Sequence, residues 1–119
     1  MNIFVTSNLL NEKEGLKYLG HLNAKADTGF YYITNHSKDT LVLENEATLI
    51  EESRLSREDL RKNLPAAIDI TAQTNKKISD KYPGMLELKA LRTNDAEYKA
   101  FVEQVVAEHN AAKDALFSL

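Results

Sequence analysis

Apolar residues fall into short β-prone runs in the first half of the chain and into helix-spaced stripes in the second. Ile3-Phe4-Val5-Thr6 predicts a strand. Phe30-Tyr31-Tyr32-Ile33-Thr34 consists wholly of aromatic and β-branched residues and is the strongest strand signal present. The polar stretch His36-Ser37-Lys38-Asp39 and the run Thr40-Leu41-Val42-Leu43 follow it, so residues 30–43 are expected to form a β-hairpin. Ala47-Thr48-Leu49-Ile50 fits a third strand or a helical turn equally. Leu86-Glu87-Leu88-Lys89-Ala90 alternates and reads as a half-buried strand, with a helical extension of the next segment as its competitor.

Helix starts carry their own signatures. Asn11 and Glu14 have capping-box spacing, and a helix from Glu12 would put Leu16, Leu19 and Leu22 towards one face. Gly15 and Gly20 weaken that helix by about 1 kcal/mol each. Ser56 with Asp59 starts a clearer one, and Leu55 and Leu60 are spaced for a hydrophobic staple. Pro65 ends or kinks it near Asn63, or opens a new helix. Ile68, Ala72 and Ile78 suggest helix over 65–82, and Pro83-Gly84 is a hard stop. Asn94 with Glu97, reinforced by Asp95, starts the best-defined helix, over 95–117. Its stripe is Tyr98, Val102, Val105, His109, Ala112 and Leu116, widened by Phe101 and Val106. The fold class is therefore α+β: a small antiparallel sheet built on the 30–43 hairpin and packed by helices, including the long C-terminal one. A mainly helical bundle with one hairpin is the alternative.

At 119 residues, 43% of them hydrophobic and 28% charged, the composition fits one domain spanning 1–119. The absence of cysteine excludes disulfides, thiolate zinc sites and cysteine nucleophiles, and it fits a reducing compartment. Residues 1–8 have neither a basic n-region nor a long apolar h-region, and no run has the length of a membrane span, so the expected location is cytoplasmic. Asn35-His36-Ser37 matches the glycosylation sequon by chance in that setting. The formal charge is −3, yet it is unevenly spread. Residues 1–53 hold four lysines against eight acids, residues 54–93 nine bases against five acids, and the remainder two lysines against five acids. The basic middle can neutralise the acidic flanks or be offered to an acidic partner.

Candidate chemistry is sparse. The four glycines form neither a dinucleotide fingerprint nor a phosphate loop, and there is no HExxH or GxSxG spacing. His21, His36 and His109 lie far apart in sequence and show no helical ligand spacing, so no metal or other cofactor is expected. Arg54, Arg57 and Arg61 would align along one helix face if the helix starts early, as a stripe suited to carboxylates or phosphates. Lys76, Lys77 and Lys81 would extend it. Glu51, Glu52, Glu58 and Asp59 offer local neutralisation instead. Tyr31 and Tyr32 point to opposite sides of their strand, which makes one a core residue and leaves the other free as a contact anchor.

These features favour a non-enzymatic protein-interaction module, in the manner of small regulators and inhibitors from phages and mobile elements. A homodimer is expected, with Phe101, Val102, Val105, His109 and Leu116 as the self-association stripe. Partner contacts are assigned to Arg54, Arg57, Arg61, Tyr31 and Tyr32. A nucleic-acid-binding regulator using the arginine stripe is the first alternative, and a small enzyme or ligand-binding protein whose site converges only on folding is the second.

Overall fold

The computed structural model describes residues 2–119. The chain is α+β, with a four-stranded antiparallel sheet and five α-helices, and it forms two compact units. The first unit comprises the residues up to Ala67 together with Leu116–Leu119, and the second is Ile68–Ala115.

The first unit holds strands β1 (Asn2–Thr6), β2 (Leu16–Leu22), β3 (Gly29–Thr34) and β4 (Ile50–Glu52) in the order β2-β3-β1-β4. Its helices are α1 (Lys38–Glu44), α2 (Arg57–Asn63) and the first turn of α3 (Pro65–Lys81). The two β-prone runs recognised in the sequence, β1 and β3, are the central pair. Both faces of β3 are covered. Tyr31 and Ile33 join Leu19, Leu22, Leu60, Leu64, Ala67 and Phe117 in one core cluster, and Tyr32 joins Phe4, Leu10, Leu41 and Ile50 in the other. A continuous apolar run, rather than an alternating one, is what a strand buried on two faces needs.

Two expectations are corrected here, and one open choice is resolved. The 30–43 hairpin has only its first strand: residues 40–43 lie in α1, and β3 pairs instead with β1 and β2. Ser37 is the reason, since its side chain accepts the Thr40 backbone N–H and caps a helix that turns Leu41 fully into the core. Residues 12–22 are not a helix but a loop and strand β2. A β-bulge shifts the register between Tyr18 and Gly20, and the inserted residue lets Leu19 and Leu22, three apart, enter the same core cluster. That spacing imitated a helical stripe. Of residues 47–50 only Ile50 enters a strand, as the first residue of β4, while 47–49 form the turn that leads into it.

The Ser56 start is as expected. Ser56 Oγ accepts the Asp59 N–H, and the Asp59 carboxylate accepts from the Ser56 backbone N–H in return. Leu64 caps the end of α2, and Pro65 opens α3. The second unit consists of the rest of α3, then α4 (Gly84–Arg92) and α5 (Ala96–Ala115). The expected 86–90 strand is thus helical. Pro83 stands at the N-cap of α4, where its missing N–H costs nothing, and the following residues are strong helix formers. The cap of α5 is Asp95, whose carboxylate accepts the Glu97 and Tyr98 N–H groups, while Asn94 takes a positive φ of 56° rather than forming the cap. Among the described residues no helix is long and apolar enough to cross a membrane.

Candidate interaction surfaces

Tyr31 and Tyr32 are both buried, at 2% and 3% exposure, because neither face of β3 is open. Their hydroxyls are satisfied internally: Tyr31 donates to the Asp27 carbonyl at 2.6 Å, and Tyr32 accepts the Leu10 N–H at 2.9 Å. Burial pushes the Tyr31 phenol pKa up, with Asp27 adding to it. Neither ring is an exposed anchor. The sheet's exposed tyrosine is Tyr18 on edge strand β2, its ring 5.2 Å from that of Tyr32. Tyr18 lines an open cleft of about 810 Å³ with Leu9, Leu10, Leu16 and Tyr32.

The arginine stripe is shorter than expected. The Ser56 cap starts α2 at Arg57, so Arg54 lies before the helix. Arg57 places its guanidinium 5.1 Å from the centroid of the Phe117 ring, and Arg61 is half-buried. In the second unit, Lys77 pairs with Glu108 at 3.6 Å, and Lys81 lies 4.4 Å from the Phe101 ring centroid. Two of the three lysines read as an extension of the stripe are thus turned to α5.

Helix α5 spends its stripe on packing. Tyr98 and Val105 are buried, and Phe101, Val102 and His109 are half-buried. The Tyr82 ring meets Tyr98 edge-on at 4.9 Å and Phe101 at 5.7 Å. His109 Nε2 and the Thr71 hydroxyl lie 3.3 Å apart. Leu116 falls beyond the end of α5 and packs with the first unit's core. The residues assigned to self-association from the sequence are therefore mostly withdrawn from solvent.

Helix α4 is the opposite case. Ala90 is buried, and Tyr98 donates a hydrogen bond to Glu87, tying α4 to α5. The other large apolar side chains of this nine-residue helix stay in solvent: Met85 is 83% exposed, Leu91 59%, Leu86 54% and Leu88 45%. Residue 85 is followed at i+3, i+4 and i+7 by 88, 89 and 92, so Met85, Leu88, Lys89 and Arg92 share one face. These four side chains line a cavity of about 370 Å³. The alternation that suggested a strand concealed this face, because Leu86 and Leu88 belong to one side only when the backbone is extended.

No group of three or more His, Asp or Glu residues that could hold a metal occurs among the described residues. The displaced pKa values have structural causes. Tyr18, Tyr31, Tyr82 and Tyr98 are raised, chiefly by burial, and Asp59 is lowered by its hydrogen bonds to Ser56. No family model matches the chain, and neither a curated protein nor a solved structure matches it.

Proposed function

We propose that this protein is a non-enzymatic protein-interaction module, of the kind used by small regulators and inhibitors, and that α4 is its contact helix. The observation that carries this reading is the exposure of Met85 and Leu88 side by side on one face of a short helix, flanked by Lys89 and Arg92. Isolated apolar residues on a surface are ordinary, whereas a contiguous apolar patch rimmed by charge marks an interaction site. Covering one such side chain fully is worth about 1.5–3 kcal/mol, so a partner seated on both gains substantially.

The test is affinity capture from a cell lysate, with and without nuclease, using the wild-type chain and Met85→Glu/Leu88→Glu. Both positions are exposed, so the melting temperature should hold. Capture of a protein that the double variant loses supports the reading. Capture unaffected by the variant removes α4 from it, and nuclease-sensitive capture that depends on Arg57 and Arg61 favours the nucleic-acid alternative.

A further inference from the structure

We infer that the α4 face is occupied by a second copy of this chain, which offers the acidic and apolar surface of α1 and β4. The inference rests on the interaction-module reading and adds the identity of the partner. The face presents two apolar side chains, Met85 and Leu88, and two cations, Lys89 and Arg92. Neither cation forms an ion pair among the described residues. The one acid of α4, Glu87, is engaged by Tyr98. A complementary occupant must therefore bring apolar groups and unpaired carboxylates together.

The first unit carries such a surface. Residues 39–53 contain five acids and no lysine or arginine. Lys13 pairs with Glu44, but Glu46, Glu51 and Glu52 are exposed and form no ion pair among the described residues. In the same stretch Leu43 is 76% exposed and Leu49 64%. α1 packs beside β4, so Leu43 and Glu44 on α1 adjoin Glu51 and Glu52 on β4, with Glu46 and Leu49 in the turn that joins the two elements. Charges at an interface rim contribute orientation and partner choice more than affinity, and the leucines and Met85 supply the apolar burial.

Charge also argues against α4 packing on its own twofold copy, which would set Lys89 and Arg92 against the same residues. The contact is instead heterologous: the α4 face of one copy meets the α1–β4 surface of another. Such a contact leaves every copy with one unused face, so association continues past two unless it closes into a ring.

The experiment uses the full chain and measures mass by light scattering over a concentration series at low and high salt. One variant removes the α4 face (Leu88→Ser/Arg92→Ser), and another removes the leucines of the acidic surface (Leu43→Ser/Leu49→Ser). All four positions are exposed, and thermal melting verifies that each variant folds. Lys89→Glu/Arg92→Glu repeats the first disruption without changing an apolar group. We expect a wild-type mass above that of a monomer, reduced by salt, and a monomer for each variant alone. An equimolar mixture of the two serine variants retains one intact contact and should give a dimer and nothing larger. A monomeric wild type, a mixture that stays monomeric, or an acidic-surface variant that still self-associates overturns the inference. A monomeric wild type that nonetheless captures a foreign protein through α4 overturns only the choice of occupant, and leaves the interaction module standing.

Discussion

The guanidinium of Arg57 lies over the ring of Phe117, 5.1 Å from its centroid, and so ties the first turn of α2 to the C-terminal segment of the same unit. Phe117 is among the most deeply buried side chains in the protein and belongs to the core with Leu60 and Leu64. Phe117→Ala should cost about 3–5 kcal/mol of stability. Arg57→Ala should cost about 0.5–1 kcal/mol, the usual worth of an exposed cation–π contact. A double-mutant cycle by urea denaturation separates the two. Additive effects would show that the arginine does not sense the ring.

The reciprocal cap of α2 makes a prediction about acid. Hydrogen bonds from Ser56 hold the Asp59 carboxyl below its ordinary pKa. A group depressed in the folded state contributes stability above its unfolded pKa and loses it as pH falls through the folded value. Ser56→Ala should therefore destabilise by about 1 kcal/mol at neutral pH, and its difference from wild type should shrink once Asp59 is protonated. A pH series of melting temperatures with a constant gap between the two proteins would contradict this.

The glycines separate into two kinds. A Cβ on Gly29 would sit 2.5 Å from Val5 Cγ2 and 3.0 Å from the Thr6 carbonyl oxygen, at a φ of +153°. Gly29→Ala should cost at least about 2 kcal/mol, combining backbone strain and overpacking against β1. Gly84 opens α4 with nothing within 4 Å, and Gly84→Ala should stabilise by about 0.4–1 kcal/mol by restricting the unfolded chain. Denaturant midpoints of the two variants should move in opposite directions. Equal shifts would refute the distinction.

Local chemistry was legible where a single signal dominated. The β3 run, the Ser56 helix start, the Pro65 and Pro83 breaks and the long last helix could each be read from a few adjacent residues. Where two readings competed, tertiary context decided. Leu19 and Leu22 share a face through a bulge, Ser37 converts Thr40–Leu43 into a helix, and Leu86 to Ala90 keep a strand-like alternation inside α4. The candidate surface was missed for the same reason. Met85, Leu88, Lys89 and Arg92 form one face only after α4 is known to be helical. The sequence did contain the charge contrast between residues 1–53 and 54–93, and that contrast is the basis of the proposed contact between copies.

The hold of α4 on α5 gives the last prediction. Tyr98 donates to Glu87 and stacks edge-on against Tyr82, and its phenol pKa is raised by burial and by Glu87. Ionising the phenol would remove the donor and set two negative charges together, so the bond is kept only while Tyr98 stays neutral. A group raised in the folded state contributes stability below its unfolded pKa, near 10 for tyrosine, and loses it as pH rises through the folded value. Tyr18, Tyr31 and Tyr82 are raised as well, so the whole chain should weaken on the alkaline side. The local consequence is specific to α4. Tyr98→Phe keeps the ring packing and deletes the hydroxyl, and at neutral pH it should raise amide hydrogen exchange in 84–92 while leaving β1 and β3 protected. Glu87→Gln keeps an acceptor for the hydroxyl and should exchange nearly as wild type does. Raising the pH past the tyrosine range should then loosen α4 less in Tyr98→Phe than in wild type, because the variant has no phenol at 98 left to ionise. Wild-type protection of α4 in Tyr98→Phe would mean that Ala90 and the surrounding packing hold the helix without the bond.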